Sequence, residues 1–171
     1  FVVGETIERN PELAKIIINH GHEIANHTYY HNPLEDLISE DVFLKDVIKT
    51  DKIIRAASGV KPIGFRAPKW SIQSGKEWVI KVLIENGYKY DASVFPSKFV
   101  HYGTAVPYLR PYRINKESFS EEDKTSDFLE FPTIVYPFFK HGFPLKFRYV
   151  NYNFFWRAVK KYNKLNTPAT V

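Results

Sequence analysis

The sequence predicts an α/β fold in which short strands alternate with helices, as an open doubly wound sheet or as a barrel. Three glycines, Gly21, Gly59 and Gly87, each follow an amphipathic segment and precede an apolar one. Glycine commonly ends a helix, so the recurring order is strand, helix, glycine and next strand. Such βα units place successive strands parallel to one another.

The first quarter of the chain shows this order clearly. Residues 1–4 are apolar and predict the end of a buried strand. Asn10 is expected to cap a helix over residues 11–20, with Pro11 in its first turn. Residues 23–27 are expected to be short and extended. The predicted inward stripe of the helix is Leu13, Ile16 and Ile17.

Two further helices follow. Ser39 is expected to cap the second helix, which ends at Gly59. A capping box, Ser74-Gly75-Lys76-Glu77, predicts the start of the third, which ends at Gly87. Strands are expected at residues 63–67 and 88–95. The predicted inward stripe of the second helix is Phe43, Leu44, Val47, Ile48, Ile54 and Ala57.

Beyond residue 97 the regular alternation of predicted strands and helices ends. Residues 97–113 are expected to form a long loop and residues 118–126 a polar turn, followed by a strand over 128–135. Residues 151–165 predict a helix. Eleven aromatic residues occur from residue 131 to residue 156. Packing in a core or a subunit contact is the expected use for most of them, and stacking on sugar rings is the alternative.

Composition restricts the class of protein. The chain has 171 residues, 44% hydrophobic and 25% charged, which is typical of one globular domain. It has no cysteine, so thiolate metal sites and disulfides are excluded, and no run is long enough to span a membrane. Residues 131–171 hold seven Lys or Arg and no Asp or Glu. Without a nucleic-acid-binding motif, this basic tail is interpreted as a solvated face, and we expect no nucleic-acid partner.

Four of the six histidines lie between His20 and His31. Neutral imidazole is a common ligand of transition metals, and His27 and His31 have the spacing that places two rings on one face of a helical turn. The HExxH zinc pattern fails because Asn26 stands where its second histidine would be. A catalytic zinc site needs a third ligand, expected to be a carboxylate from elsewhere. The alternative is a hydrogen-bonded structural pair.

Arg66 and Asp91 are predicted at the ends of neighbouring strands, where chemistry collects in α/β folds. Arg66 could hold a carboxylate through two of its guanidinium nitrogens, and Asp91 would place a carboxylate on the same rim as the histidines. Taken singly, Arg66 could instead form a surface ion pair, and Asp91 could cap a turn.

Together these motifs resemble those of a known family. GHEIANHTYYH, GFRAPKWSI and GYKYDASVFP, in this order, are similar to motifs of the polysaccharide deacetylases, also called NodB-like proteins or carbohydrate esterase family 4. The resemblance covers residues 1–135 and implies a distorted (β/α) barrel, incomplete at both ends. Residues 136–171 resemble the extension of an exopolysaccharide-biosynthesis branch, expected to pack on the same domain.

The resemblance implies a metal-dependent hydrolase that removes N-acetyl groups from the amino sugars of a polysaccharide. His27 and His31 match the family's metal-binding histidines, with zinc the expected ion, and Thr28 steadies the loop between them. Arg66 matches an arginine that orients a catalytic carboxylate. The resemblance also implies that the Lys69 backbone N–H donates to the oxyanion and that Asp91 is the carboxylate that tunes the general acid. Pro68 and Trp70 are the implied substrate-binding residues.

Two parts of the family's machinery are expected outside residues 1–171. The family's first motif, with a metal-binding Asp and a base Asp, would precede Phe1, and its general-acid histidine would follow Val171. We therefore expect a fragment that binds metal weakly and turns over poorly when isolated. His101 and His141 are weak candidates to replace the missing histidine. A non-catalytic glycan-binding relative is the alternative function, and localisation, cytoplasmic or at the cell envelope, stays open.

Overall fold

The computed structural model describes residues 1–34, 39–97, 106–138, 141–144 and 151–164, with side chains of 137–138 and 141–144 excepted. The helices are α1 (Gly4–Arg9), α2 (Glu12–Asn19), α3 (Glu40–Ser58), α4 (Trp78–Glu85) and α5 (Tyr152–Lys164), with a 3₁₀ turn at Pro68–Trp70. The strands are β1 (Gly64–Phe65), β2 (Tyr90–Asp91), β3 (Tyr112–Asn115), β4 (Ser118–Glu122), β5 (Leu129–Glu130), β6 (Val135–Phe138) and β7 (His141–Pro144).

A five-stranded sheet has the order β1-β2-β5-β3-β4. Strands β1, β2 and β5 are parallel, whereas β3 is antiparallel to both β5 and β4. Single parallel bridges from Val2 to Asn26 and from Asn26 to Phe65 extend the parallel row on the β1 side. β6 and β7 form a separate antiparallel pair. The mixed α/β class predicted from the sequence is confirmed.

Three apolar clusters hold these elements together. Burial of aliphatic and aromatic surface is the main favourable contribution to folding, and helices α3 and α4 bury one face each against the sheet. The main cluster includes Phe43, Val47, Phe65, Val79, Leu83, Tyr88 and Tyr112. A second joins α1, α2 and α3 through Ile7, Ala14, Ile24, Ile54 and Ala57.

Helix α3 begins and ends as predicted. The Ser39 hydroxyl accepts a hydrogen bond from the Val42 amide at 3.4 Å, and Gly59 adopts a left-handed conformation with φ of 77°. The predicted inward stripe is largely correct. Ile48 is the exception, since it is 37% exposed.

The N-terminal region departs from its prediction. Helix α1 begins at Gly4, directly after the single-residue bridge at Val2, and was not predicted. Asn10 does not cap α2, because its side-chain amide donates to the Thr6 carbonyl at the end of α1. With α1 packed against α2 and α3, the small Ala14 faces the core, whereas Leu13 and Ile16 are 37% and 49% exposed.

Two local predictions further along are also wrong. Helix α4 begins at Trp78, and the Glu77 carboxylate accepts from the Gly75 amide, so Ser74 does not form a capping box. The segment predicted as a polar turn contains strand β4, whose Phe119 is buried. Pairing with β3 and burial of that one aromatic side chain outweigh the polar composition of the segment.

Helix α5 packs on the segment that leads into β6. Its buried side chains, Phe155, Ala158 and Tyr162, contact Ile134, and the Tyr162 hydroxyl donates to the Val135 carbonyl at 3.0 Å. Trp156 is 41% exposed. The aromatic tail is thus partly core and partly surface, and the domain boundary at residue 135 stays a prediction. Within the described residues, no helix combines the length and apolar character needed to cross a bilayer.

Gly64 in β1 lies against the ring of Tyr90. A Cβ atom at residue 64 would stand 2.0 Å from Cζ of Tyr90. The ring has little freedom to move, since its hydroxyl bonds Glu23 and it packs 5.4 Å from Phe131. We therefore expect Gly64→Ala to lower the free energy of unfolding by about 1 to 3 kcal/mol.

Urea denaturation of the single and double variants tests this clash. Tyr90→Ala removes the ring. In that background, Gly64→Ala should lower the free energy of unfolding much less than it does in the wild-type protein. An equal cost in both backgrounds would show that Tyr90 is not the cause.

Candidate active site

The loop that carries His27 and His31 leaves the parallel row at Asn26. Thr28 and His31 have positive φ values of 62° and 61°, so the segment is not the helical turn that the spacing predicted. The loop still brings the two imidazoles together, with ring centroids 4.8 Å apart and planes at 70°. The pairing predicted from the spacing is therefore present, although the backbone that produces it is different.

The hydrogen bonding of His27 favours a neutral imidazole. Its Nδ1 lies 2.6 Å from the Arg66 carbonyl oxygen, which only accepts, so Nδ1 carries the proton. Burial lowers the pKa of His27 to about 4, with smaller contributions in the same direction from the nearby charges of His31 and Arg66, although the bond to the Arg66 carbonyl raises it. A lone pair is left on Nε2. This is the tautomer of a metal-ligating histidine whose other nitrogen donates to a backbone carbonyl.

The donor set fits a divalent transition metal such as zinc, with His27 and His31 as two of its ligands. Within the described ranges, no third His, Asp, Glu or Cys joins them in a metal-sized group. The predicted third ligand, a carboxylate, therefore does not come from those residues. His101 lies outside the described residues, and His141 is in β7 without a described side chain.

Arg66 adjoins His27, since its carbonyl accepts from that ring and its charge lowers the pKa of His27. Its Nε donates to the Ala92 carbonyl at 3.0 Å, and its Cζ lies 4.3 Å from the centroid of the Phe1 ring. Burial lowers the pKa of Arg66, while the charge of Asp91 raises it. Arg66 is thus partly buried next to carboxylates, which excludes the alternative of an ordinary surface ion pair.

The sequence placed the carboxylate of Asp91 on the rim beside the histidines, and the structure shows how far it is from solvent. The side chain is completely buried. Its Oδ1 accepts from the Ser93 hydroxyl at 2.5 Å, and its Oδ2 accepts from the Ser93 amide at 3.1 Å. The turn-capping arrangement considered for Asp91 is therefore what the structure contains.

The turn after Arg66 holds the other predicted site residues. Lys69 and Trp70 have positive φ values of 54° and 53°. Pro68 is buried, Lys69 is exposed, and the half-buried Trp70 packs edge-on against Phe95 at 5.4 Å. Substrate contacts at Pro68 and Trp70 and the role of the Lys69 amide stay predictions.

Backbone strain marks the same two loops. In the described part of the chain, the non-glycine residues with positive φ are Thr28, His31, Lys69 and Trp70. Such conformations are costly for side chains with a Cβ atom and cluster at functional sites. Thr28 supports its loop through the main chain, because its hydroxyl is buried without a hydrogen-bond partner among the described residues.

Sequence reasoning missed a polar network behind the histidine loop. The buried Asn26 side-chain amide donates to Asp51 at 2.9 Å, to the Tyr88 hydroxyl at 2.8 Å and to the Val47 carbonyl at 3.2 Å. Its Oδ1 accepts from the Thr28 amide at 2.9 Å. The only local signal was a polar residue in a segment predicted to be short and extended.

The sequence also provided no clear indication of Glu130, which is completely buried in β5 beside Asp91. The available signal was a single carboxylate between Leu129 and Phe131, inside a predicted apolar strand. A buried acid of this kind needs a partner, but nothing in the sequence indicates which one.

Comparisons with known proteins identify a family. A family model described as polysaccharide deacetylase matches residues 1–90, which include both histidines and Arg66. A peptidoglycan deacetylase of Helicobacter pylori is 34% identical over 109 residues, 62% of this chain and 35% of that protein. A peptidoglycan-N-acetylglucosamine deacetylase of Bacillus cereus is 40% identical over 68 residues, 40% of this chain and 24% of that protein. The chain thus spans about a third or less of these relatives.

Solved structures share the fold. A structure named "putative polysaccharide deacetylase from Mycobacterium smegmatis" superposes with a TM-score of 0.60 at 24% identity, covering 97% of this chain and 52% of that one. A structure of Puue allantoinase superposes with a TM-score of 0.57 at 17% identity, covering 78% of this chain and 37% of that one. The family model matches more than half of this chain, and the chain belongs to the polysaccharide deacetylase family.

Proposed function

We propose that the protein is a metal-dependent hydrolase that removes N-acetyl groups from the amino sugars of a polysaccharide. The observation that carries this proposal is the pair of imidazoles 4.8 Å apart, of which His27 is neutral and keeps its Nε2 lone pair. The family match and the names of the relatives support the reaction class.

Zinc is the proposed cofactor, with His27 and His31 as two of its ligands. Imidazole nitrogens suit zinc, and both residues lie in the part of the chain matched by the family model. A bound zinc ion would supply Lewis acidity toward the acetamide carbonyl. The His27 imidazole needs no deprotonation at neutral pH before it can bind, because burial already keeps its pKa near 4.

The remaining residues act on substrate and on charge. We propose that the Arg66 guanidinium orients a catalytic carboxylate and that the Lys69 backbone N–H donates to the oxygen that gains negative charge as water attacks the amide. Asp91 is buried, so it would act through the groups it holds rather than by touching substrate. Pro68 and Trp70 are proposed to border the bound sugar.

The substrate class is an N-acetylated polysaccharide, and two polymers are candidates. The relatives are named for peptidoglycan. An exopolysaccharide is the candidate suggested by Phe131-Pro132 and the aromatic tail, in which Tyr152 and Trp156 are exposed and 5.9 Å apart. Exposed aromatic rings of this kind can stack on sugar rings.

Acetate release by the full-length protein tests the proposal. N-acetylglucosamine oligomers and peptidoglycan are incubated with protein, with protein plus chelator, and with chelated protein to which zinc is restored. We expect acetate release that the chelator abolishes and that zinc restores. Binding of the oligomers without any acetate release would indicate a non-catalytic glycan-binding relative. Release that is indifferent to the chelator would contradict metal dependence.

A further inference from the structure

Two buried carboxyl groups meet where β2 and β5 end. Asp91 and Glu130 are paired in register across these parallel strands, and both side chains are completely buried. Neither is accessible to substrate. Buried acids are costly unless they are neutralised or hydrogen-bonded, so a pair at this position needs a structural or functional reason.

The pair anchors the short segment 92–94. The Val94 amide donates to Glu130 Oε1 at 3.0 Å, and Ser93 donates to Asp91 through both its amide and its hydroxyl. Because β5 carries one acid and β2 the other, segment 92–94 is fixed to both strands.

Segment 92–94 also makes hydrogen bonds to residues of the proposed site. The Ala92 carbonyl accepts from Arg66 Nε at 3.0 Å, and the Ser93 hydroxyl accepts from the Ala67 amide at 2.7 Å. Ala67 begins the turn that carries Lys69. A continuous chain of hydrogen bonds therefore runs from Glu130 through segment 92–94 to Arg66 and to that turn.

The charges around Glu130 favour its neutral form. Burial and the neighbouring Asp91 raise the pKa of Glu130 well above its usual range, and Arg66 opposes this only in part. Glu130 and Asp91 also share a side-chain hydrogen bond, which requires a proton on one of the two carboxyl groups. Tyr112, facing from β3, directs its hydroxyl to the Phe119 carbonyl at 2.9 Å. Burial raises the pKa of Asp91 as well, but the hydrogen bonds that Asp91 makes with Glu130 and Ser93 oppose that shift. Glu130 is therefore the member of the pair that holds a proton more readily.

We propose that Glu130 is a positioning residue, which fastens segment 92–94 to β5 and thereby holds Arg66 and the Lys69 turn in place for deacetylation. The inference rests on the function proposed above. Glu130 touches neither substrate nor metal in this account. Its effect on the reaction is transmitted through the Val94 amide and segment 92–94.

Two variants of similar size separate the role of Glu130 from simple packing. Glutamine has the shape of a neutral glutamic acid and keeps the acceptor for Val94, so E130Q should release acetate with a kcat within about twofold of wild type. Leucine fills the space but has no acceptor. E130L should lower kcat by about 10- to 100-fold with little change in KM, because misplaced groups act mainly in the transition state.

The pH dependence of stability is a second, independent measurement. A raised pKa in the folded state means that folded Glu130 keeps its proton while the unfolded group has lost it. The contribution of Glu130 to the free energy of unfolding therefore falls as the pH rises from the ordinary pKa of the group, 4.5, toward its raised pKa in the folded state. We expect the free energy of unfolding of E130Q, minus that of wild type, to increase over this interval.

The controls keep the outcomes apart. Thr133 is also buried and its amide donates to the Val94 carbonyl at 3.0 Å. Its hydroxyl has no partner among the described residues, so T133V should leave kcat unchanged. The positioning role is overturned if folded E130L has wild-type kcat or if E130Q loses as much kcat as E130L. If E130L does not fold, a 10-fold or larger loss of kcat in folded E130Q, which keeps the acceptor for Val94, overturns it instead. If wild type itself releases no acetate, it is the proposed function that fails.

Discussion

Replacement of His27 by alanine is expected to abolish metal-dependent acetate release in the full-length protein, and His31→Ala should do the same. A zinc ion held by two imidazoles and one further ligand loses a large part of its affinity when either ring is removed. The measurement is acetate released from N-acetylglucosamine oligomers, with zinc content determined on the same samples. Both activity and bound zinc should be lost together.

His22→Ala is the matched control, because His22 is exposed in the segment before the site loop. It should retain wild-type acetate release and zinc content. Wild-type activity in His27→Ala or in His31→Ala would refute the assignment of that histidine as a metal ligand.

Asn26→Ala is expected to have the largest effect on stability, lowering the free energy of unfolding by about 2 to 4 kcal/mol. The substitution removes an amide group whose two hydrogens are shared among three acceptors. It leaves the half-buried Asp51 carboxylate and the buried Tyr88 hydroxyl with fewer partners. It also removes the acceptor of the Thr28 amide, directly after His27. Zinc affinity should therefore fall as well.

Urea denaturation and zinc titration measure these two effects. Asn19→Ala is a suitable control, since Asn19 is exposed at the end of α2 and should tolerate the change. An unchanged unfolding midpoint for Asn26→Ala would show that the network contributes little to stability.

The sequence was most informative where the signals are local. The Ser39 cap and the left-handed Gly59 depend on residues within one or two turns, and both were predicted correctly. The proximity of His27 and His31 also followed from their spacing. The conformation between them did not, because positive φ at Thr28 and His31 is unusual for these residues. Thr28 is held by hydrogen bonds with Asn26 and Gly4.

Where tertiary packing decides, the sequence was a poor guide. The orientation of α2 depends on α1, and the pattern of Leu13 and Ile16 alone favoured the wrong face. The partner of Asp91 is Glu130, which is 39 residues away in the sequence and was invisible before the β2–β5 register was known. Burial of Asp91 likewise follows from strand pairing rather than from its local motif.

The central claim is that His27 and His31 bind one ion together. Anomalous diffraction from crystals of the full-length protein grown with zinc tests it most directly. The account predicts one anomalous peak within bonding distance of both imidazoles, on the Nε2 side of His27, because Nδ1 of that ring donates to the Arg66 carbonyl. A zinc-loaded crystal with no peak at these rings, or with a peak bound by only one of them, would contradict it.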